Sequence, residues 1–206
     1  MRAADKLLPV PTDSPGLDER RAEVVRLLLD RAYVRRSEPF QLASGGWSRD
    51  YIDARLAISR GPDLRLVAEA IVALAAEEGV AFDAVGGLTM GADPLSHAIA
   101  LVGDRAWFAV RKSAKAHGKQ RLVEGAPLDA STRVLLVDDV VTTGGSIVQA
   151  LDAVETTGAP VVLAVTLCDR GDSARRLLEG RGVRYRPLTT YADLGIEPVA
   201  PPAPVS

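Results

Sequence analysis

The segment Val134-Leu-Leu-Val-Asp-Asp-Val-Val-Thr-Thr-Gly-Gly-Ser146 sets two adjacent carboxylates, Asp138 and Asp139, at the end of an apolar run. Behind them come Thr142, Thr143, Gly144, Gly145 and Ser146, where a helix is expected to begin. Glycines let backbone N–H groups approach a phosphate, hydroxyls add donors, and a helix N-terminus supplies positive potential. Two ionised acids beside such a cradle suit the vicinal hydroxyls of a ribose, because carboxylates accept hydrogen bonds well. The combination describes a site for a sugar carrying a 5-phosphate. A P-loop is excluded, since Gly-Lys-Ser/Thr is missing, and no Gly-x-Gly-x-x-Gly fingerprint is present here. The competing interpretation is a strand that ends in an Asp-capped turn.

A second stretch, Arg111-Lys-Ser-Ala-Lys-Ala-His-Gly-Lys-Gln-Arg121, carries five formal positive charges and no acid. The chain has 21 arginines and only four lysines, yet Lys112, Lys115 and Lys119 fall within eight residues, with His117 among them. A local switch from Arg to Lys points to a task that wants a compact, mobile point charge. Small residues and Gly118 interrupt the run, so it reads as a mobile loop. Its bland alternative is a solvated charge run.

The surrounding pattern supplies elements to position these residues. Ser14-Pro15 offers an N-cap and a first-turn proline, and Val24, Val25, Leu28 and Ala32 predict an amphipathic helix over 17–35. Short strands are expected at Phe40–Leu42 and Tyr51–Ala57 around Ser44-Gly45-Gly46. Pro62 opens a helix that buries Val67, Ala70, Ile71, Leu74 and Ala75 and stops at Gly79. Strand Ala84–Val85 is expected to run into a turn at Gly86-Gly87, with a helix over 93–102. Strands follow at Ala106–Val110, Val134–Val137, Val161–Leu167 and Tyr185–Leu188, with helices at 146–157 and Ser173–Glu179. Alternating strands and helices predict an α/β fold, a mainly parallel sheet flanked by helices.

At 206 residues, 47% hydrophobic and 25% charged, the chain reads as a single globular domain over 1–206. The proline-bearing ends, 1–16 and 197–206, read as flexible arms. No apolar run approaches the roughly 20 residues that span a membrane, and no secretory signal pattern is seen, so a cytoplasmic protein without a membrane partner is expected. A net charge of −2 gives no global basic field for nucleic acid. The lone Cys168 excludes an intramolecular disulfide and reads as a small buried residue; His97 reads as a packed or surface histidine rather than a ligand.

The acid-pair segment resembles the phosphoribosyl pyrophosphate (PRPP) motif of type I phosphoribosyltransferases. Within that group, Arg-Lys-x-x-Lys-x-His-Gly at 111–118 is similar to the catalytic loop of orotate phosphoribosyltransferases. Three more segments carry the resemblance: Val85–Leu95, like the glycine turn beside the pyrophosphate site; Cys168-Asp169-Arg170; and Phe40–Asp53, like the hood with Ser-Gly and a downstream Tyr-x-Asp. The chain departs from the family in that hood. Ala43, Gly46 and Asp50 stand where many members have a lysine, an arginine and the first of two adjacent aromatics.

The resemblance implies a parallel sheet with a small N-terminal hood. It implies that Asp138 and Asp139 hold the ribose hydroxyls, within a PRPP-binding run that continues through Val140, Val141, Thr142, Thr143, Gly144, Gly145 and Ser146. Arg111, Lys112, Lys115 and His117 are implied to meet the pyrophosphate, with Lys115, His117 and Asp138 catalytic. Thr142, Arg170 and Tyr51 are implied to meet orotate. Mg²⁺ would arrive on PRPP rather than on ligands of the chain, and a homodimer would share the 111–121 loop between subunits. The implied reaction joins orotate to PRPP, giving orotidine 5′-monophosphate and pyrophosphate. A phosphoribosyltransferase for a purine or another base, and a PRPP-sensing regulator without turnover, remain the alternatives.

Overall fold

A computed structural model describes residues 15–41, 47–113 and 122–196. The chain opens with α1 (Leu17–Arg31), which buries Leu17, Val24, Leu27 and Leu28. Gly16 occupies the N-cap without a side-chain bond; Ser14, the expected cap, lies outside the described residues. The helix ends four residues earlier than its periodicity predicts. From Tyr33 the chain instead forms β1 (Tyr33–Gln41), antiparallel to β2 (Trp47–Ile52), with Tyr33 opposite Ile52 and Arg35 opposite Asp50. Here the pairing of 33–35 with 50–52 overrides the helical spacing, and Val34 stays half exposed on the hairpin. The register breaks between Arg35 and Phe40, where Pro39 has no N–H to offer a ladder.

The expected strand over Tyr51–Ala57 is corrected as well. It stops at Ile52, and Asp53 caps a short helix, α2 (Ala54–Ala57), by accepting from the Leu56 amide at 3.4 Å. Next comes α3 (Gly61–Glu77), opened by Pro62, whose buried face includes Val67, Ala70, Ile71, Leu74 and Ala75.

The remaining elements are β3 (Ala84–Leu88), α4 (Asp93–Gly103), β4 (Ala106–Val110), β5 (Val123–Gly125), β6 (Val134–Val141), α5 (Gly145–Glu155), β7 (Val161–Asp169), α6 (Ser173–Glu179) and β8 (Tyr185–Thr190). Their sheet runs β5-β4-β3-β6-β7-β8, parallel except for the edge strand β5, which pairs antiparallel with β4 and adds to the strands the sequence predicts. With three residues and no fully buried side chain, β5 carries too little pattern to be read locally.

Gly86-Gly87 is not a turn. Both glycines are buried within β3, where a Cβ on Gly86 would strike Phe108 and one on Gly87 the Val137 carbonyl. The turn follows at Thr89–Ala92.

Strand β6 shows how the sheet is covered. Leu135 and Val137 join the apolar cluster formed with α1, α3 and α4, whereas Val134 and Leu136 join the one formed with α5 and α6. Alternate side chains thus feed opposite cores, as a parallel sheet buried on both faces requires. No helix of the described residues is long and apolar enough to cross a membrane.

Candidate active site

From β3 the chain crosses through α4 to β4 on one side; from β6 it crosses through α5 to β7 on the other. The adjacent strands β3 and β6 therefore flank a topological switch point, and ligands of open α/β sheets bind in the crevice beyond the strand ends there. A cavity of about 590 Å³ lies at this place, lined by Arg55, Leu88–Gly91, Arg111–Ser113, Asp138, Asp139 and Ser146.

The acid pair sits near the end of β6. Asp138 is 4% exposed and accepts from the Asp139 amide at 3.0 Å; Asp139 accepts from the Val140 amide at 2.7 Å. Burial, and next the neighbouring Asp139 carboxylate, push the Asp138 carboxyl up to about 7. Gly91 presses against the pair: a Cβ there would lie 2.8 Å from an Asp139 oxygen and 2.9 Å from an Asp138 oxygen. Any larger residue would take the space in front of the carboxylates.

Behind the pair, Gly144 adopts φ +85° at the N-cap of α5, a left-handed conformation that suits glycine. The helix then starts at Gly145, with Ser146 exposed to the cavity. Thr142 and Thr143 of the loop and Gly145 at the start of α5 do not line the cavity themselves.

On the β4 side, the Arg111 amide donates to the Leu122 carbonyl at 2.8 Å, and Gln149 of α5 donates to the Lys112 carbonyl at 3.0 Å. These bonds hold the start of the basic stretch beside the acid pair. Lys115 and His117 fall outside the described residues, as do Ala43 and Gly46.

Arg170 and Tyr51 stand apart from the cavity lining. The Arg170 side chain is buried. Its Nη2 donates to the Asp50 carbonyl at 3.1 Å, its guanidinium stacks 4.9 Å from the Tyr191 ring centre, and its Nε has no hydrogen-bond partner. No carboxylate of a described residue forms an ion pair with it. Tyr51 meets Phe40 edge to face at 5.8 Å, with Arg36 over both rings. The Asp50 carboxylate accepts from the Tyr33 hydroxyl at 2.8 Å and from Arg35 at 3.1 Å. Arg170 thus adjoins the hood beside Tyr51.

Beneath Arg170, Asp169 accepts from the Gly171 amide at 3.0 Å and from the buried Tyr185 hydroxyl at 2.8 Å, which also meets Thr166 at 2.7 Å. This chain fixes the turn that carries Arg170. Cys168 is buried, its thiol pushed up to about 12, and His97 is an exposed ring set edge to face on Trp107.

Arg55, Gln149 and Tyr185 are the contributors that sequence reasoning passed over. For Arg55 a signal existed: Asp53 as a cap with alanines at 54 and 57, three apart, is a helical pattern.

A parallel sheet with an acid pair at its switch point, followed by a hydroxyl- and glycine-rich loop entering a helix, defines the phosphoribosyltransferase class. The family model described as "Phosphoribosyl transferase domain" matches residues 65–180. The chain is 42% identical over 187 residues to the orotate phosphoribosyltransferase of Streptomyces avermitilis, covering 88% of this chain and 100% of that protein. It is 38% identical over 172 residues to that of Pyrococcus furiosus, covering 84% and 93%. The crystal structure of Mycobacterium tuberculosis H37Rv orotate phosphoribosyltransferase in complex with PRPP superposes with a TM-score of 0.71 at 35% identity, over 86% of this chain and 99% of that one. The chain belongs to the orotate phosphoribosyltransferase family.

Proposed function

We propose that the protein transfers the 5-phosphoribosyl group of PRPP to orotate, giving orotidine 5′-monophosphate and pyrophosphate, a step of de novo pyrimidine (UMP) synthesis. The observation that carries this reading is the meeting of Asp138 and Asp139 with Arg111 and Lys112 in one cavity at the sheet's switch point. Acids for ribose hydroxyls and cations for phosphates stand side by side, as PRPP requires.

In this reading Asp138 and Asp139 accept the ribose hydroxyls. The run Val140–Ser146 and the N-terminus of α5 receive the 5-phosphate. Arg111 and Lys112, joined by Lys115 and His117 of the resembling loop, bind the pyrophosphate. The bond from the anomeric carbon to pyrophosphate breaks through an oxocarbenium-like state, the orotate ring nitrogen bonds to that carbon, and the nitrogen's proton is released. No covalent nucleophile takes part; positioning and stabilisation of the leaving charge do the work.

Mg²⁺ is the expected cofactor, and carboxylate oxygens such as those of Asp138 and Asp139 are the hard donors it prefers. Among the described residues no group of three or more His, Cys, Asp or Glu could hold an ion unaided. The family resemblance has PRPP oxygens carry the ion to the site. When bound, the ion neutralises charge on the departing pyrophosphate.

The choice of orotate is supported by Arg170. A buried guanidinium without a carboxylate partner is costly, and its planar fork matches the orotate carboxylate. Tyr51 and Thr142 would flank the base. The altered hood residue Asp50 motivates the second reading, transfer to a different base.

Residues 1–206 act in this reading as one catalytic domain, in the cytoplasm where its phosphorylated substrates are dissolved, and as a homodimer sharing the 111–121 loop. The test is pyrophosphate release from PRPP and Mg²⁺ with orotate, adenine, hypoxanthine, uracil and nicotinate in turn. Release with orotate alone is expected. Release with another base instead would keep the chemistry and overturn the acceptor.

A further inference from the structure

Two carboxylates and three cations line the cavity, the cations being Arg55, Arg111 and Lys112. Arg111 and Lys112 follow β4 and reach the cavity together. Arg55 arrives from a different element: it lies on α2, which packs against β6, and β4 and β6 flank β3 on opposite sides. Between them the lining residues Leu88–Gly91, at the end of β3 and in the turn after it, bring no charged side chain. Among the described lining residues, Arg55 is the one cation outside the 111–113 segment.

Local structure aims this side chain. Ala54 and Ala57 are buried, and residues three apart share a helix face. Their burial turns Arg55 and Leu56 outward, and Arg55 meets the cavity. Among the described residues its one ion pair, to Asp53, is loose at 3.8 Å, and its side chain is 55% exposed. Such a pair contributes little to stability, so fold stability does not account for a guanidinium at this place. A planar fork of donors at the rim of a cavity built for a polyanion suits phosphoryl oxygens.

We propose that Arg55 is a third anchoring residue for the pyrophosphate group of PRPP, holding it from the α2 side while Arg111 and Lys112 hold it from the β4 side. The inference rests on the PRPP reading above and adds to it a residue and a direction of approach. Because α2 directly follows β2, Arg55 also ties the placement of the hood to the pyrophosphate.

The test titrates inorganic pyrophosphate and, separately, ribose 5-phosphate into the full-length protein with Mg²⁺ by calorimetry. Wild type is compared with Arg55→Ala, Arg55→Lys and a charge control, Arg65→Ala, whose exposed side chain lies 4.0 Å from Glu69 on α3. Arg55→Ala is expected to weaken pyrophosphate about tenfold or more, the scale of a lost charged hydrogen bond, with partial recovery in Arg55→Lys. Ribose 5-phosphate affinity should not change, nor should either affinity in Arg65→Ala. Unchanged pyrophosphate affinity in Arg55→Ala, a loss matched by Arg65→Ala, or an equal loss for ribose 5-phosphate would each overturn the proposal. A wild-type protein that binds neither ligand would instead sink the PRPP reading, and this inference with it.

Discussion

Arg170 donates from Nη2 to the backbone carbonyl of Asp50 at 3.1 Å, joining the end of the parallel sheet to the hood hairpin across 120 residues of sequence. The bond leaves Nε without a partner, although the side chain is buried. Asp50 is held in turn by Tyr33 and Arg35. Hood and sheet thereby converge on a guanidinium that still has donors to give.

That geometry makes Arg170 a determinant of acceptor binding. Arg170→Lys keeps the charge and loses the fork, so the KM for orotate should rise about tenfold or more while the KM for PRPP moves little. Steady-state kinetics with each substrate varied in turn checks this. A matched rise in both values would mean that the substitution disturbs the whole site rather than the acceptor subsite.

Gly91 offers a steric test of the acid pair. In Gly91→Ala the new methyl would fall within 3 Å of carboxylate oxygens of both Asp138 and Asp139. PRPP affinity should drop by about tenfold or more, with a melting temperature within a few degrees of wild type, because the methyl enters the cavity rather than the core. Equilibrium binding of PRPP together with a thermal melt reads both quantities. Undiminished affinity would show that the ribose is not held at this pair.

Asp138 links stability to pH. Its carboxyl is raised from 3.8 in the unfolded reference to about 7, burial being the first cause. Between those values the folded chain binds more protons than the unfolded one, so its contribution to stability is present at low pH and is lost as pH rises toward 7. Asp138→Asn removes this penalty. The unliganded variant should be more stable than wild type near pH 8, by an amount on the order of a few kcal/mol at most, and the difference should shrink toward about pH 5. Urea unfolding at the two pH values measures it. The same variant should lose nearly all turnover, the pattern expected where a buried charge is retained for function at the expense of stability.

Much of this arrangement is legible in the amino-acid sequence, and the reason lies in local chemistry. The apolar run Val134–Val137, the acids at 138 and 139 and the glycines at 144 and 145 each act within a few residues of themselves, so strand, acid pair and loop are all legible. The helix Gly61–Glu77 is legible because its apolar spacing matches its buried face. What escapes is decided by distant partners. Residues 33–35 look helical by spacing, yet pair with 50–52. Gly86 and Gly87 look like a turn, yet lie inside β3 because Phe108 and Val137 leave no room for side chains. Edge strand β5 exists only by pairing with β4. Arg55 escapes for a related reason: its place at the cavity depends on the capped helix that ends the hood hairpin.

The most direct test of the central claim follows the loss of orotate absorbance with PRPP and Mg²⁺ present, for wild type and for the Asp138→Asn, Asp139→Asn double variant. Orotate consumption by the wild type is expected to depend on PRPP and to be matched by orotidine 5′-monophosphate formed, with turnover essentially absent in the double variant. Consumption undiminished in the double variant, or none in a wild type that is folded and binds PRPP, would contradict that claim.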